Sequence, residues 1–144
     1  MKILDPGITR ARSGQEWHVL GHTYWLVSDG DSSFAFETYD PPGTFVPPHI
    51  HPEQDEFIYV LEGVMDVVLD GQEQQAHAGD CVLMPRGIPH AYYNNSDEPT
   101  RALFWVSPGG TLKELFDELH ELSDPDEVVR LSALHGVDFL PPPA

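Results

Sequence analysis

Four residues in this chain have the types and spacing of a single metal site: His49, His51, Glu56 and His90. Three imidazoles and one carboxylate suit a divalent transition metal, namely Fe, Mn, Ni, Co, Cu or Zn. An all-oxygen site for Ca or Mg would not need three histidines. The sequence therefore predicts one divalent transition-metal ion. If the ion is six-coordinate, two positions stay open for water, oxygen or substrate.

The local sequence indicates how these side chains could converge. In an extended segment, residues two apart project from the same face, so His49 and His51 would point to one spot. Glu56 stands directly before the run FIYVL, whose β-branched and aromatic residues favour a strand. His90 follows the turn-rich segment PRGIP.

Glycines frame both metal-site segments. Residues 43–63 read GTFVPPHIHPEQDEFIYVLEG, and residues 79–94 read GDCVLMPRGIPHAYYN. These segments resemble the two signature motifs of the cupin superfamily, G-x5-H-x-H-x4-E-x6-G and G-x5-P-x-G-x2-H-x3-N. The amino-acid sequence in and around these segments is similar to that of the quercetin 2,3-dioxygenase-like group of single-domain cupins. A looser likeness runs from about Trp17 to the C terminus.

The resemblance implies a fold, a ligand set and an assembly. The fold is all-β, the double-stranded β-helix or jelly-roll barrel of cupins, here followed by two C-terminal α-helices. The four residues above are implied as the metal ligands, and a homodimer is implied as the assembly. The group includes dioxygenases, isomerases, cyclases and proteins without enzymatic activity, so several reactions stay open.

The order of short segments agrees with a sandwich or barrel, and 144 residues are typical of one compact domain. The sequence divides into an N-terminal arm (1–16), a β-barrel (17–110) and a C-terminal helical extension (111–144) that packs on the barrel. The sequence around Asp70-Gly71 predicts a hairpin with a type I′ turn. Apolar runs predict strands at residues 24–27, 34–39, 57–61, 65–69, 81–84, 90–93 and 102–106.

The extension has the pattern of two helices. Apolar residues recur at helical spacing over residues 111–122. Asp124 then precedes Pro125, and Glu127 completes the pattern of a capping box that would begin a second helix, which ends at Gly136. We expect both helices to complete the core, and whether they gate a pocket stays open.

Net charge and composition bear on partners and location. The chain has 7 basic and 24 acidic side chains, and its formal net charge is −17. Nucleic acids and anionic membranes need basic patches, so we expect neither as a partner. The N-terminal sequence lacks the apolar core of a signal peptide, and no apolar run approaches the roughly 18 residues of a membrane helix. A cytoplasmic protein is expected. The lone Cys81 lies in the run CVLM, which predicts a buried side chain.

Strand alternation predicts a pocket beside the metal. Tyr92 would share the face of His90, and Ile58 would share that of Glu56. An aromatic and aliphatic pocket suits a flat, apolar ligand that carries a few oxygens. The candidate wall residues are Phe36, Phe45, Ile58, Met84, Tyr92 and Phe104.

The ligand set favours chemistry on an anionic oxygen, such as an enolate or phenolate, and Glu56 is the candidate catalytic residue because it could accept a proton there. Our first hypothesis is a metal-dependent dioxygenase of the quercetinase-like kind. Its substrates would be O2 and a small enolisable aromatic, flavonol-like or polyketide-like compound. A redox-neutral polyketide cyclase or isomerase with the same site is the first alternative. A small-molecule-binding cupin without catalysis is the second.

Overall fold

The computed structural model describes residues 1–141, which form two antiparallel sheets and two helices. The strands are β1 (Glu16–Val19), β2 (His22–Asp29), β3 (Phe34–Asp40), β4 (Phe45–Ile50), β5 (Asp55–Glu62), β6 (Val64–Leu69), β7 (Gln72–His77), β8 (Cys81–Met84), β9 (His90–Tyr93), β10 (Thr100–Ser107) and β11 (Asp138–Phe139). The helices are α1 (Leu112–Leu119) and α2 (Pro125–Leu134). No helix in this part of the chain combines the length and apolarity needed to cross a membrane.

The strand order confirms the expected double-stranded β-helix with two C-terminal helices. One sheet runs β1-β2-β3-β10-β5-β8, and the other runs β11-β4-β9-β6-β7. Along β10 buried and half-buried residues alternate strictly, as expected when one sheet face packs inward. The inner faces of both sheets bury an aromatic and aliphatic core, with Phe34, Ile58 and Phe104 at its centre.

Local sequence explains much of this order. Every apolar run that predicted a strand lies within one. The predicted hairpin is β6–β7, where Asp70 and Gly71 have φ values of 50° and 80°, as a type I′ turn requires. Strands β1, β4 and β11 gave no apolar run, because they are short, polar or contain the consecutive prolines Pro47 and Pro48.

Two local expectations were wrong. Cys81 is exposed, because β8 points Val82 and Met84 inward and therefore directs its other side chains outward. The capping box forms only in part. Asp124 accepts the backbone N–H of Asp126 at 3.0 Å, but the Glu127 carboxylate pairs with Arg130 on the next turn.

Helix α1 is part of the core. Trp17 of β1 packs edge-on against Phe116, with ring centroids 5.5 Å apart, and donates its indole N–H to Asp117 at 2.9 Å. The amphipathic face predicted for residues 111–122 buries Leu112, Leu115, Phe116 and Leu119. Helix α1 itself ends at Leu119, while Leu122 packs against the core from the following turn.

The chain on either side of the sheets packs against them. The N-terminal arm lies along the first strands, where Thr9 donates to the Val27 carbonyl at 3.1 Å and Arg12 contacts Glu37. Strand β11 closes the C-terminal segment by pairing with β4. The three segments inferred from sequence stay a prediction, and residues 142–144 of the extension lie outside the described residues.

We expect Leu115→Ala to lower the free energy of unfolding by about 2–5 kcal/mol, because it removes a fully buried side chain from α1. Leu134→Ala is the matched control. Leu134 lies on α2 and is 69% exposed, so its loss should change stability by less than about 0.5 kcal/mol. Urea unfolding at an unchanged m-value measures both. Equal effects of the two substitutions on the free energy of unfolding would contradict the conclusion that α1 is part of the core.

Candidate metal centre and adjoining cavity

The candidate metal centre lies between the two sheets. His49 in β4 is directly paired with His90 in β9, so both imidazoles come from one sheet. His51 follows the end of β4, and Glu56 lies near the start of β5 in the opposite sheet. The pairing of β4 with β9 shifts register between Val46 and His49, where two prolines supply no N–H to the ladder.

The structure brings all four predicted ligands together. One nitrogen or carboxylate oxygen from each lies within 4.8 Å of those from the others. Glu56 Oε1 is 3.3 Å from His90 Nε2, and Glu56 Oε2 is 3.6 Å from His51 Nε2. All four residues are buried.

Hydrogen bonds set the tautomer of each histidine. The Nδ1 atom of His49 lies 2.8 Å from the Pro47 carbonyl oxygen, and that of His90 lies 3.2 Å from the Ile88 carbonyl oxygen. A carbonyl only accepts, so each Nδ1 carries the proton, and in a neutral ring the Nε2 lone pair is free. The Nε2 atom of His90 is buried and has no hydrogen-bond partner of acceptable geometry among residues 1–141.

Gln54 gives His51 the same tautomer. Its amide nitrogen donates to the carbonyl oxygens of Pro108 and Gly109 at 3.0 and 2.9 Å, which directs Oε1 toward His51 Nδ1 at 3.2 Å. Gly110 has a φ of 57°, and a Cβ there would lie 2.8 Å from the Gln54 amide nitrogen. Sequence reasoning missed Gln54, and its only signal was a polar side chain three residues after His51.

Burial and mutual charge give these groups the protonation states that metal ligands need. Burial lowers the pKa of His49 to about 3, and the neighbouring His90 adds to the effect. Burial raises the pKa of Glu56, but His51, His90 and His49 outweigh it and hold that pKa at about 2. His49 is therefore a neutral base and Glu56 a carboxylate at neutral pH. With His90 Nε2 unpartnered, the residues present fit a divalent metal ion.

A cavity of about 400 Å³ adjoins this centre. His49, His51 and Glu56 line it, and most of its wall is aromatic or aliphatic. The C-terminal segment forms one side, where Leu115, Phe116 and Val128 project from α1 and α2. Phe139 of β11 packs on the His49 ring, with centroids 5.3 Å apart. The size and lining are typical of a small-molecule site.

Four of the six residues suggested as pocket walls line the cavity: Phe36, Phe45, Tyr92 and Phe104. Ile58 and Met84 lie elsewhere, because they are buried between the sheets in the centre of the core. Ile58 does share the inward face of Glu56, as alternation predicts, but it faces the opposite sheet rather than the cavity. A substrate role for all six residues stays a prediction.

Further polar groups lie on the cavity, and of these only Tyr92 was among the residues predicted from sequence. The hydroxyls of Tyr24 and Tyr92 lie 3.5 Å apart, and burial raises the pKa of both phenols. His22 also lines the cavity and is bonded to Asp40. No motif marks His22 and Asp40 in the sequence, because β2 and β3 must pair before these two residues meet.

Comparison with known proteins gives partial matches. Residues 36–106 match the family model described as Cupin domain. The protein named Polyketide synthase CurC from Streptomyces cyaneus is 37% identical over 67 residues, which are 46% of this chain and 44% of that protein. Tetracenomycin polyketide synthase protein TcmJ from Streptomyces glaucescens is 32% identical over 74 residues, 51% of this chain and 50% of that protein. The match thus spans about half the length of these relatives.

Solved structures share the fold. KdgF from Halomonas sp. superposes with a TM-score of 0.67 at 20% identity, covering 72% of this chain and 94% of that one. An RmlC-like cupin from Shewanella frigidimarina gives a TM-score of 0.66 at 18% identity, covering 73% and 93%. At this identity the likeness concerns the fold alone. Residues 36–106 thus match a cupin domain, and the two-sheet fold and the buried ligand set agree with that match.

Proposed function

We propose that this protein is a metal-dependent dioxygenase acting on a small enolisable aromatic compound of the flavonol or polyketide kind. One observation carries the proposal: three histidines and one glutamate converge at the wall of a cavity that is otherwise mostly apolar. The cavity suits a flat aromatic body, and the centre suits an oxygen substituent on it. The relatives named as polyketide synthase proteins support the substrate class.

The metal would be held by His49, His51 and His90 through Nε2 and by Glu56 through a carboxylate oxygen. When bound, a divalent ion would supply a net positive charge that lowers the pKa of a coordinated hydroxyl and stabilises its anion. The Nδ1 hydrogen bonds hold the three rings in place, so little reorganisation is needed on binding.

Glu56 is the proposed proton acceptor. Its carboxylate is ionised and lies on the cavity wall, within 3.3–3.6 Å of two imidazole nitrogens. A substrate hydroxyl at the centre would lie within reach of that carboxylate, so Glu56 would take the proton that leaves the oxygen. The apolar wall, including Phe36 and Phe104, would exclude water and strengthen these electrostatic interactions.

A redox-neutral reaction on the same substrate class is the second candidate. The observation that favours it is that two relatives are named as polyketide synthase proteins, since polyketide synthesis includes ring closure and isomerisation as well as oxidation. Glu56 would have the same role, because enolisation also begins with loss of a proton. The two candidates differ in one measurable respect, which is the need for O2.

The purified protein should hold close to one equivalent of a divalent transition metal, and His49→Ala should lose it, because one of the three imidazole ligands is gone. His77→Ala is the matched control, since His77 is an exposed histidine outside the site. Elemental analysis together with calorimetric titration of Zn²⁺, Mn²⁺ and Ni²⁺ into the stripped protein measures both. Full metal retention by His49→Ala would refute the site.

Oxygen consumption should separate the candidate reactions. A dioxygenase places both atoms of O2 in the product, so quercetin or a naphthol diketone should be consumed with one equivalent of O2 and without a reductant. Glu56→Gln should lower kcat by about 10²-fold or more, since it removes the proton acceptor. Conversion under strict anaerobiosis would favour the redox-neutral reaction instead. Thermal stabilisation by these compounds without conversion, across all metals tested, would overturn both and leave a binding protein.

We also propose that the protein is a homodimer that pairs through the outer face of the β10-β5-β8 sheet. This face carries stacked Phe57 and Trp105 rings, with centroids 5.1 Å apart, and exposed Tyr59 and Leu83. An exposed apolar patch of this kind on a sheet face favours association. Light scattering should give twice the monomer mass.

Leu83→Lys should shift the dimer toward monomer, because it places a charge in the proposed interface. Leu134→Lys, a matched change at an exposed leucine of α2, should leave the mass unchanged. A monomeric wild-type protein, or equal effects of the two substitutions, would argue against this interface.

A further inference from the structure

A second polar pair lies on the cavity, apart from the metal ligands. His22 of β2 and Asp40 of β3 are joined by a contact of 2.6 Å between Nδ1 and Oδ1. Both residues are about 2% exposed. His22 nevertheless lines the cavity, as do His49 and His51, which are also buried. The pair is therefore shielded from bulk water while its ring faces the enclosed space.

Hydrogen-bond geometry determines how many protons the pair holds. His22 Nε2 lies 3.1 Å from the Phe45 carbonyl oxygen, which can only accept, so Nε2 carries a proton. If Nδ1 had none, its lone pair would face a carboxylate oxygen at 2.6 Å, which is repulsive. A second proton between Nδ1 and Oδ1 removes this repulsion. The pair thus holds one proton more than a neutral imidazole beside a carboxylate.

The surroundings stabilise this state. The Thr38 hydroxyl donates to the other carboxylate oxygen of Asp40 at 2.8 Å, so Asp40 has a partner on both oxygens. A buried charge is tolerated when it is paired and hydrogen-bonded in this way. The His22 ring packs beside the rings of Tyr24 and Tyr92 at centroid distances of 5.7 and 6.1 Å, which leaves Phe45 O as the acceptor of the Nε2 proton.

We propose that His22 is a proton donor to an oxygen of the substrate and that Asp40 is its positioning residue. The inference rests on the proposed function for the identity of the substrate class. The substrate oxygen would replace the Phe45 carbonyl as the partner of Nε2. The N–H bond breaks, its electron pair stays on Nε2, and a new O–H bond forms on the substrate anion. His22 is left as a neutral imidazole with Nδ1–H bonded to Asp40, and it regains a proton from water when the product leaves.

This assignment gives the cavity an acid as well as a base. Glu56 is a carboxylate that can accept a proton, whereas the His22–Asp40 pair holds one that it can give. A proton acceptor and a proton donor on one cavity are the usual requirement for moving a proton onto one substrate atom and off another. A purely structural role for His22 would need only its contacts with Asp40 of β3 and with the Phe45 carbonyl of β4.

The proton count can be measured directly by NMR on zinc-reconstituted protein with ¹⁵N-labelled histidine. His22→Gln identifies the His22 signals by their absence. We expect proton-bearing shifts at both His22 nitrogens at neutral pH, or a proton shared with Asp40 beside a protonated Nε2. Asp40→Asn should leave His22 with one proton. A wild-type His22 with a single, unshared ring proton would overturn the proposal.

Ligand contact is tested with quercetin under nitrogen, in the same zinc protein. The Nε2–H signal of His22 should move, because a substrate oxygen replaces the Phe45 carbonyl. Movement of the His49 signals alone would overturn the role of His22 while leaving the metal site in place. No movement of either set would instead count against quercetin-like compounds, and with them the proposed function and this inference together.

The last test is kinetic and uses whichever compound the wild-type protein converts. His22→Gln should lower kcat by about 10²-fold or more with metal content and KM little changed. Thr100→Val is the matched control. It removes a buried hydrogen bond away from the cavity, the one that the Thr100 hydroxyl donates to the Val64 carbonyl at 3.2 Å, and should leave kcat within twofold. A His22→Gln enzyme with kcat within twofold of wild type would overturn the proposal, whereas loss of metal by His49→Ala together with a fully active His22→Gln would leave the proposed function standing.

Discussion

The organisation of the site depends on burying three imidazoles and a carboxylate between two sheets without leaving their polar atoms unmatched. Each histidine donates a hydrogen bond from its Nδ1–H, either to the Pro47 or Ile88 carbonyl oxygen or to the Gln54 side chain. This satisfies one of the two nitrogens of each ring. The remaining Nε2 lone pairs then meet beside Glu56. A ring buried with its lone pair facing other lone pairs and an anion is stabilised by a cation between them, so the same arrangement that satisfies the Nδ1 protons fits a metal ion.

The cavity takes its character from the elements around this centre. The inner faces of both sheets supply aromatic walls, and α1, α2 and β11 cover one side. The low polarity of the cavity strengthens the electrostatic interactions of each remaining polar group, because charge is weakly screened there. Glu56 and the His22–Asp40 pair are two such groups, one proposed as a proton acceptor and the other as a proton donor. A cavity built in this way can hold a mostly apolar molecule and still act on its oxygens.

Local patterns predicted the parts of the structure that local physics controls. The Asp70-Gly71 turn follows from the positive φ that its residues tolerate, and the metal ligands follow from spacing within glycine-framed segments. The predictions that failed concern the direction in which a side chain points relative to elements that are distant in sequence. Cys81 looks apolar in its run but lies on the outer face of β8. Ile58 has the inward orientation that alternation predicts, yet it faces the opposite sheet, and of the residues of β5 Glu56 lines the cavity.

The sequence by itself predicted the chemistry of the ligand set, an all-β sandwich or barrel and the two C-terminal helices, because each depends on residue type and short-range periodicity. The double-stranded β-helix was implied by the resemblance to cupins. Only the tertiary structure decided that His22 meets Asp40, that Gln54 orients His51, and that the helices wall the cavity. The physical reason is separation along the chain. His22 and Asp40 stand 18 positions apart on paired strands, and an isolated histidine carries no local sign of the carboxylate that strand register will place beside it.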